Sequence, residues 1–218
     1  VEMMGGSDRI LARGRQLHDE GKYLHAQEIL NKLVYAEPGN QAAKDLLATL
    51  KLAAKKDGDV KVAIIPFDTT VRIGTGYKDQ PWFDVSCSAL GNPSGCSASS
   101  WKNYWEGCVR DRTYPYDAQD DAPNVNTAAT LFPIYHCGSL TSAMPLTYDW
   151  TALNSKIDQM TPNGNTNVTI GLVWGWHALT PGIPLSEGSA PKTDLDKVII
   201  LLTDGTNTES WKNSNNSK

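Results

Sequence analysis

The sequence lacks any apolar stretch long enough to cross a membrane, because its hydrophobic runs fall far short of the roughly 20 residues that a spanning helix needs. It also lacks a recognisable signal-peptide pattern. Lysine and arginine do not cluster along one face, and the formal net charge of the 218 residues is -4. A protein without a basic patch binds the phosphate backbone of nucleic acids poorly. We therefore expect no membrane segment in this chain and no nucleic-acid partner.

Catalytic motifs are also missing. The sequence has no Gly-x-Ser-x-Gly nucleophile elbow and no phosphate-binding loop. The neighbouring carboxylates Asp120 and Asp121 lie in a stretch rich in proline and asparagine, where we expect them to be solvated. The histidines are scattered without the spacing of zinc ligands, at His18, His25, His136 and His177. We interpret the chain as a non-enzyme without zinc.

Residues 74–150 show little hydrophobic periodicity and are rich in glycine, proline, serine, asparagine and aromatic residues. So long an irregular stretch is unusual in a compact domain unless it is functional or cross-linked. All the cysteines of the chain lie in it: Cys87, Cys96, Cys108 and Cys137. An even number of cysteines in an irregular segment predicts disulfides and an oxidising compartment.

These cysteines allow three disulfide pairings. Zinc is the weaker alternative, because no two cysteines have the Cys-x-x-Cys spacing of structural zinc sites. We favour Cys87 with Cys96 and Cys108 with Cys137, since short local closures need the least ordering of the chain. The tryptophans of the chain either fill a core beneath the loops or form a binding surface, and core filling is the favoured interpretation.

Residues 7–52 have helical composition and apolar spacing near 3.6. The pattern predicts helices over residues 7–20, 23–36 and 41–55, separated by Gly21 and by a Pro-Gly-Asn turn. Such a small helical array buries little surface by itself and needs a partner surface.

The motifs Glu20-Gly-Lys-Tyr23, Leu30-Asn-Lys-Leu-Val-Tyr-Ala-Glu-Pro-Gly-Asn40 and Leu46-Leu-Ala48 resemble the dimerisation domain of alkyl sulfatases of the metallo-β-lactamase superfamily. The resemblance covers nearly all of residues 1–50 and implies a homodimer formed through the N-terminal helices. A single tetratricopeptide-type helix pair is the alternative. No residue of a zinc hydrolase can be carried over to this sequence.

A second feature is the continuous apolar run at residues 198–203, which ends in Asp204 and Gly205. It predicts a strand buried on both faces, and a strand-end aspartate lies where open α/β sheets bind ligands. Thr166 stands in a short loop before a helix-like segment at residues 168–179. The oxygens of Thr166 and Asp204 suit a hard cation such as Mg2+. The alternatives are a helix N-cap for Thr166 and a strand-end turn for Asp204.

These segments belong to a wider pattern. It comprises Gly164 to Leu172, Leu202 to Gly205, Val62 to Thr70, Trp105 to Arg112, and Pro145 to Trp150. The pattern resembles the von Willebrand factor type A region of TadG-like proteins of the bacterial Tad pilus assembly system. The resemblance implies an α/β, Rossmann-like fold with a mostly parallel sheet over residues 53–218, interrupted by the irregular, disulfide-bearing insertion. It also implies a metal-ion-dependent adhesion site, a periplasmic or cell-envelope location, and a protein partner among pilus assembly components.

The sequence departs from that family at the first metal motif, Asp-x-Ser-x-Ser, which should precede the strand predicted at residues 60–67. The motif occurs only later, at Asp84, Ser86 and Ser88. The residues before Asp84 do not read as a buried strand, so we interpret this match as a surface loop. The metal site of Thr166 and Asp204 is therefore predicted to be incomplete, with weak binding of Mg2+ or another divalent cation.

The chain thus divides into a helical segment at residues 1–52 and an incomplete type A-like domain at residues 53–218, a combination that suggests a chimera or a fragment. Two functions remain. The first is a non-catalytic protein-interaction domain with a partial metal-ion-dependent adhesion site. The second is the dimerisation module of an alkyl sulfatase that lacks its zinc hydrolase domain.

Overall fold

The computed structural model describes residues 41–161, 164–203 and 207–210. The chain forms two compact units. The described residues of Val1–Ile64, Met144–Pro162 and Ser189–Asp204 form the first unit, and those of Ile65–Ala143, Asn163–Gly188 and Gly205–Lys218 form the second. The predicted helices at residues 7–20 and 23–36 lie outside the described residues, as does Asp204. The division at residue 52 stays a prediction.

The described elements are three α-helices and six short strands, together with five 3-10 helices of three residues each. The helices are α1 (Gln41–Ala53), α2 (Trp150–Asp158) and α3 (Val168–Leu179). The strands are β1 (Val62–Ile64), β2 (Val71–Arg72), β3 (Phe83–Asp84), β4 (Cys108–Val109), β5 (Phe132–Tyr135) and β6 (Met144–Thr147). None of these helices is long and apolar enough to cross a membrane.

Helix α1 forms because its apolar residues recur at intervals of three and four positions, which places them on one face. That face is buried, with Ala43, Leu46, Leu47 and Leu50 almost inaccessible to solvent. It belongs to a hydrophobic core that also contains residues of α2 and β1. Burying one leucine side chain contributes about 1.5–3 kcal/mol. The helix predicted at residues 41–55 is confirmed.

The first unit is completed by β1 and β6, which pair antiparallel, and by α2, which follows β6 directly. Asp149 caps α2 by accepting a hydrogen bond from the backbone N–H of Ala152 at 2.9 Å. An ion pair between Lys44 and Asp158 joins α1 to α2.

The strand predicted at residues 198–203 is not formed. Ile200 is buried in the core of the first unit and Leu202 packs against that core, but the other residues of the run are half-buried or exposed. Packing against the core on one side buries part of the apolar surface of this run without requiring hydrogen bonds to a neighbouring strand. The inference from a continuous apolar run to a strand covered on both faces was therefore wrong.

The second unit contains a four-stranded sheet in the order β2-β4-β5-β3. The pairs β2–β4 and β4–β5 are antiparallel, and only β3–β5 is parallel. The prediction of a mostly parallel sheet is therefore wrong for the described strands, although helices and strands are both present. The strands have only two to four residues and are joined largely by irregular loops. The helical crossovers that build parallel sheets are thus missing from this part of the chain.

The irregular segment is held together by aromatic packing and by disulfides. Trp82, Trp101 and Trp105 are buried and pack around Phe83, with ring centroids 4.2–5.7 Å from it. These contacts agree with core filling for three of the tryptophans. Directly before Asp84, Trp82 and Phe83 are buried, and Phe83–Asp84 pairs with β5 as a two-residue strand in which Asp84 is exposed.

The disulfides join Cys87 to Cys96 and Cys108 to Cys137. This is the pairing favoured by short local closure. The second bridge fastens β4 to the residues just after β5, and both of its cysteines are buried. The first closes a turn on the protein surface.

Candidate functional sites

The polar residues at the amino end of α3 form the first candidate site. The helix is capped by Asn167, whose side-chain oxygen accepts a hydrogen bond from the backbone N–H of Ile170 at 3.3 Å. Asn167 is buried. The N-cap proposed as the alternative role of Thr166 is therefore supplied by the next residue.

Thr166 uses its backbone to hold the segment at residues 207–209. Its N–H donates to Thr208 Oγ1 at 2.8 Å, and its carbonyl oxygen accepts from the N–H groups of Thr208 and Glu209 at 2.8 and 3.1 Å. The side chain of Asn207 accepts from the N–H of Val168 at 2.8 Å. Residues 207–209 are thus fixed to the start of α3.

Two carboxylates lie at the same place. The backbone oxygen of Asp68 accepts from the N–H of Asn167 at 2.8 Å, while its Oδ1 accepts from the N–H and Oγ1 of Thr70 at 2.7 and 2.8 Å. Asp111 Oδ2 accepts from Asn167 Nδ2 at 2.5 Å. Burial raises the pKa of Asp68, and the hydrogen bonds from Thr70 oppose that rise.

The sequence prediction missed both carboxylates. Asp68 directly follows the strand predicted at residues 60–67, so the strand-end rule that selected Asp204 applies equally to it. Asp111 carries no comparable local signal, because its contact with Asn167 spans 56 positions of sequence.

These residues bring many oxygen atoms together, but many of those oxygens already take part in hydrogen bonds within the protein. The described part of the chain contains no group of three or more His, Cys, Asp or Glu side chains that could hold a metal ion. Asp84 lies exposed in β3, and the hydroxyls of Ser86 and Ser88 hydrogen-bond each other, with their Oγ atoms 2.7 Å apart. The cation site of Thr166 and Asp204 stays a prediction.

The outer face of α1 forms the second candidate site. Ala48, Lys51 and Leu52 are exposed there, and Leu52 keeps 78% of its surface accessible. The opposite face of the helix is consumed by the core of the first unit. An apolar pair at positions i and i+4 on an otherwise polar face is suited to contact with another surface.

Comparison with known proteins places a match over this helix. Residues 1–58 match the family model of alkyl sulfatase dimerisation. The chain is 46% identical over 48 residues to a linear primary-alkylsulfatase of a Pseudomonas species. It is 40% identical over 48 residues to the alkyl/aryl-sulfatase BDS1 of Saccharomyces cerevisiae. Each alignment covers 22% of this chain and 7% of the relative. No solved structure matches.

The resemblance of the N-terminal segment to an alkyl sulfatase dimerisation domain is thereby confirmed. The chain spans only a small part of the curated relatives that it matches. None of these comparisons supports a type A region of TadG-like proteins, and the largely antiparallel sheet of the second unit does not have the topology which that resemblance implies.

Proposed function

We propose that this chain is a non-catalytic self-association module that forms a homodimer through residues 1–58. The observation that carries the proposal is the match of those residues to the alkyl sulfatase dimerisation family, with 46% identity to one relative over 48 residues. Helix α1 is the part of that segment whose packing is described. Its inner face is buried within its own chain, so it meets a partner through its outer face.

The outer face of α1 is too small to form the whole interface. A stable protein–protein interface buries about 800 Å² on each partner, which is more than one helix face of this length supplies. We therefore assign Ala48 and Leu52 to the edge of the interface and the larger share to residues 1–40. Burying Leu52 in the dimer would add about 1.5–3 kcal/mol to association.

Sedimentation velocity over a range of protein concentrations tests the proposal. The unaltered chain should dimerise, and Leu52→Glu should weaken the dimer at least about tenfold, which corresponds to about 1.4 kcal/mol. Leu172→Glu is the matched control, since Leu172 is an exposed leucine of α3 outside the matched segment. A chain that stays monomeric at high concentration would contradict self-association. A dimer unaffected by Leu52→Glu would leave self-association intact and remove α1 from the interface.

The disulfides support a second proposal, that the protein works in an oxidising compartment such as the periplasm or the cell envelope of a bacterium. Both bridges are formed and none of the four cysteines is free. Cytosolic thiols are usually kept reduced, so structural disulfides favour a location outside the cytosol. Thiol titration after denaturation, on protein isolated from each compartment of the producing cell, tests this. Fully reduced native protein in the cytosol would contradict it.

One observation favours a further interaction surface on the second unit. Leu172 and Trp176 lie four positions apart on α3, and both are exposed. We propose that this face binds a protein, and pilus assembly components are the partners to test. Surface plasmon resonance with purified Tad components should then show binding that Trp176→Glu weakens. Failure of every component to bind would contradict this proposal without affecting self-association.

A further inference from the structure

Among the described residues of the second unit, His177, near the carboxyl end of α3, is the most completely buried titratable side chain, with 1% of its surface exposed. Its Nδ1 lies 2.7 Å from Asp120 Oδ1, and Thr180 donates its hydroxyl to the same oxygen at 3.2 Å. The ring packs edge-on against Phe132 and Trp174, with centroids 5.5 and 5.4 Å away. The imidazole therefore has one hydrogen-bond partner and packs against two aromatic rings.

This geometry fixes where the proton resides. An ionised Asp120 accepts hydrogen bonds, so the neutral imidazole carries its proton on Nδ1 and donates it to the carboxylate. Nε2 is then unprotonated, and it is buried without a hydrogen-bond partner among the described contacts. A second proton could enter only at Nε2. It would place a charged N–H group in an apolar environment with nothing to accept it.

A positive charge lies near this neutral ring. Arg112 is buried, and its guanidinium lies over Phe132 at 4.7 Å from the ring centroid. Its Nη1 donates to the carbonyl oxygens of Asp121 at 2.6 Å and Thr130 at 3.4 Å, and its Nη2 donates to that of Gln119 at 2.5 Å. Arg112 thereby binds the loop at residues 113–131 from inside, through the carbonyl oxygens of Gln119, Asp121 and Thr130.

The charged groups around the pair act in opposite directions. The pKa of His177 is lowered to about 4, first by burial and then by the positive charge of Arg112, while the charge of Asp120 and its hydrogen bond oppose that shift. Burial also lowers the pKa of Arg112, while Asp121, Asp120, Asp117 and Tyr116 raise it. His177 is therefore neutral at pH 7, and its protonation disfavours the closed arrangement.

We propose that the His177–Asp120 contact is an acid-released latch, which closes the loop at residues 113–131 against α3 near neutral pH and opens it on mild acidification. The loop is suited to this role because Tyr114 and Val125 are largely exposed, whereas Arg112 and Thr130 anchor it from within. Opening would bring water to Nε2 and to the guanidinium.

The direction of the pH dependence follows from the two states. In the open loop the imidazole titrates near its ordinary pKa of about 6.5, and in the closed loop near 4. Closure is thus fully favoured above about pH 6.5. The ratio of closed to open loop falls up to about tenfold per pH unit below that, for a total of about two orders of magnitude by pH 4.

Amide hydrogen exchange measured by NMR between pH 7.5 and 4.5, corrected for intrinsic exchange rates, tests the latch. Protection of the amides of Gln119, Thr127 and Thr130, each of which donates to a backbone oxygen within the loop, should fall by one to two orders of magnitude as the pH is lowered. His177→Gln should abolish that dependence, because a glutamine side chain does not titrate. His136→Gln is the control, since His136 is exposed in the same unit and should leave the dependence unchanged.

Two results would overturn the proposal. One is protection that stays flat over this pH range in the unaltered chain. The other is a pH dependence that persists in His177→Gln. If that variant does not fold, the carbon-bound ring protons of His177 in the unaltered chain decide the question. They should titrate well below pH 6.5, and a titration near pH 6.5 would contradict a closed, proton-excluding site.

Discussion

Gly171 of α3 faces Phe67 so closely that a β-carbon at position 171 would lie 2.6 Å from Cδ1 of the phenylalanine ring. Real β-carbons essentially never approach another atom so closely, so a side chain of any size would push the ring or the helix aside. Gly171 is buried within α3. The glycine is therefore required by packing, although glycine weakens a helix by about 1 kcal/mol relative to alanine.

We expect Gly171→Ala to destabilise the second unit by about 1–3 kcal/mol, because the overpacking cost exceeds the gain in helix propensity. Urea denaturation followed by tryptophan fluorescence measures the change. Gly76→Ala is the matched control, since a β-carbon there would meet nothing within 4 Å. Gly171→Ala with unchanged or increased stability would show that Phe67 moves without cost.

A double-mutant cycle on Asn167 and Asp111 tests the hydrogen bond between them. Asn167→Asp keeps an oxygen for the helix cap but places two carboxylates together, so it should destabilise the protein at pH 7 by about 1–3 kcal/mol. Adding Asp111→Asn restores a donor and an acceptor, and we expect it to recover at least about 1 kcal/mol. Additive effects of the two substitutions in urea denaturation would contradict a direct contact.

Local patterns in the sequence were sufficient to predict features that depend on residues close to one another along the chain. The 3.6-residue period of α1 predicted a helix because one face of a single helix must be buried. The pairing of Cys87 with Cys96 follows from nearness along the chain. Residues 198–203 show the limit of this reasoning. A continuous hydrophobic run does not reveal whether the segment will pair with neighbouring strands or only pack against the core on one side. The Asn167–Asp111 contact joins residues 56 positions apart and had no local signal.

The disulfides should contribute unequally to stability. Cys108 and Cys137 are 29 positions apart, whereas Cys87 and Cys96 are 9 apart, and a longer closed loop removes more entropy from the unfolded chain. Loop entropy alone gives about 3.6 kcal/mol for the Cys108–Cys137 bridge and about 2.7 kcal/mol for the Cys87–Cys96 bridge. Paired replacements by alanine, compared by urea denaturation, should preserve that order. A larger loss from removing the Cys87–Cys96 bridge would contradict it.

Mg2+ at millimolar concentration should barely change the thermal stability of the second unit. Asp68 Oδ1 and Asp111 Oδ2 accept internal hydrogen bonds, and burial raises the pKa of Asp68, which opposes the charged form that a cation needs. A ligand whose concentration is at or below its dissociation constant stabilises a protein by no more than about 0.4 kcal/mol. Differential scanning calorimetry with and without Mg2+ measures the shift. A rise of many degrees that Asp68→Asn or Asp204→Ala abolishes would instead reveal a complete cation site.

The two faces of α1 should separate folding from association. Leu46 is fully buried in the core of the first unit, so Leu46→Ala should cost about 2–5 kcal/mol of unfolding free energy. Leu52 is largely exposed, so Leu52→Ala should change that free energy by less than about 0.5 kcal/mol at concentrations where the chain is monomeric. At higher concentration Leu52→Ala should weaken the dimer, as seen by sedimentation velocity. Both leucines belong to the helix that matches the dimerisation family. If Leu52→Ala lowered the unfolding free energy and Leu46→Ala weakened the dimer, α1 would contact its partner through the face that is buried within its own chain in this structure.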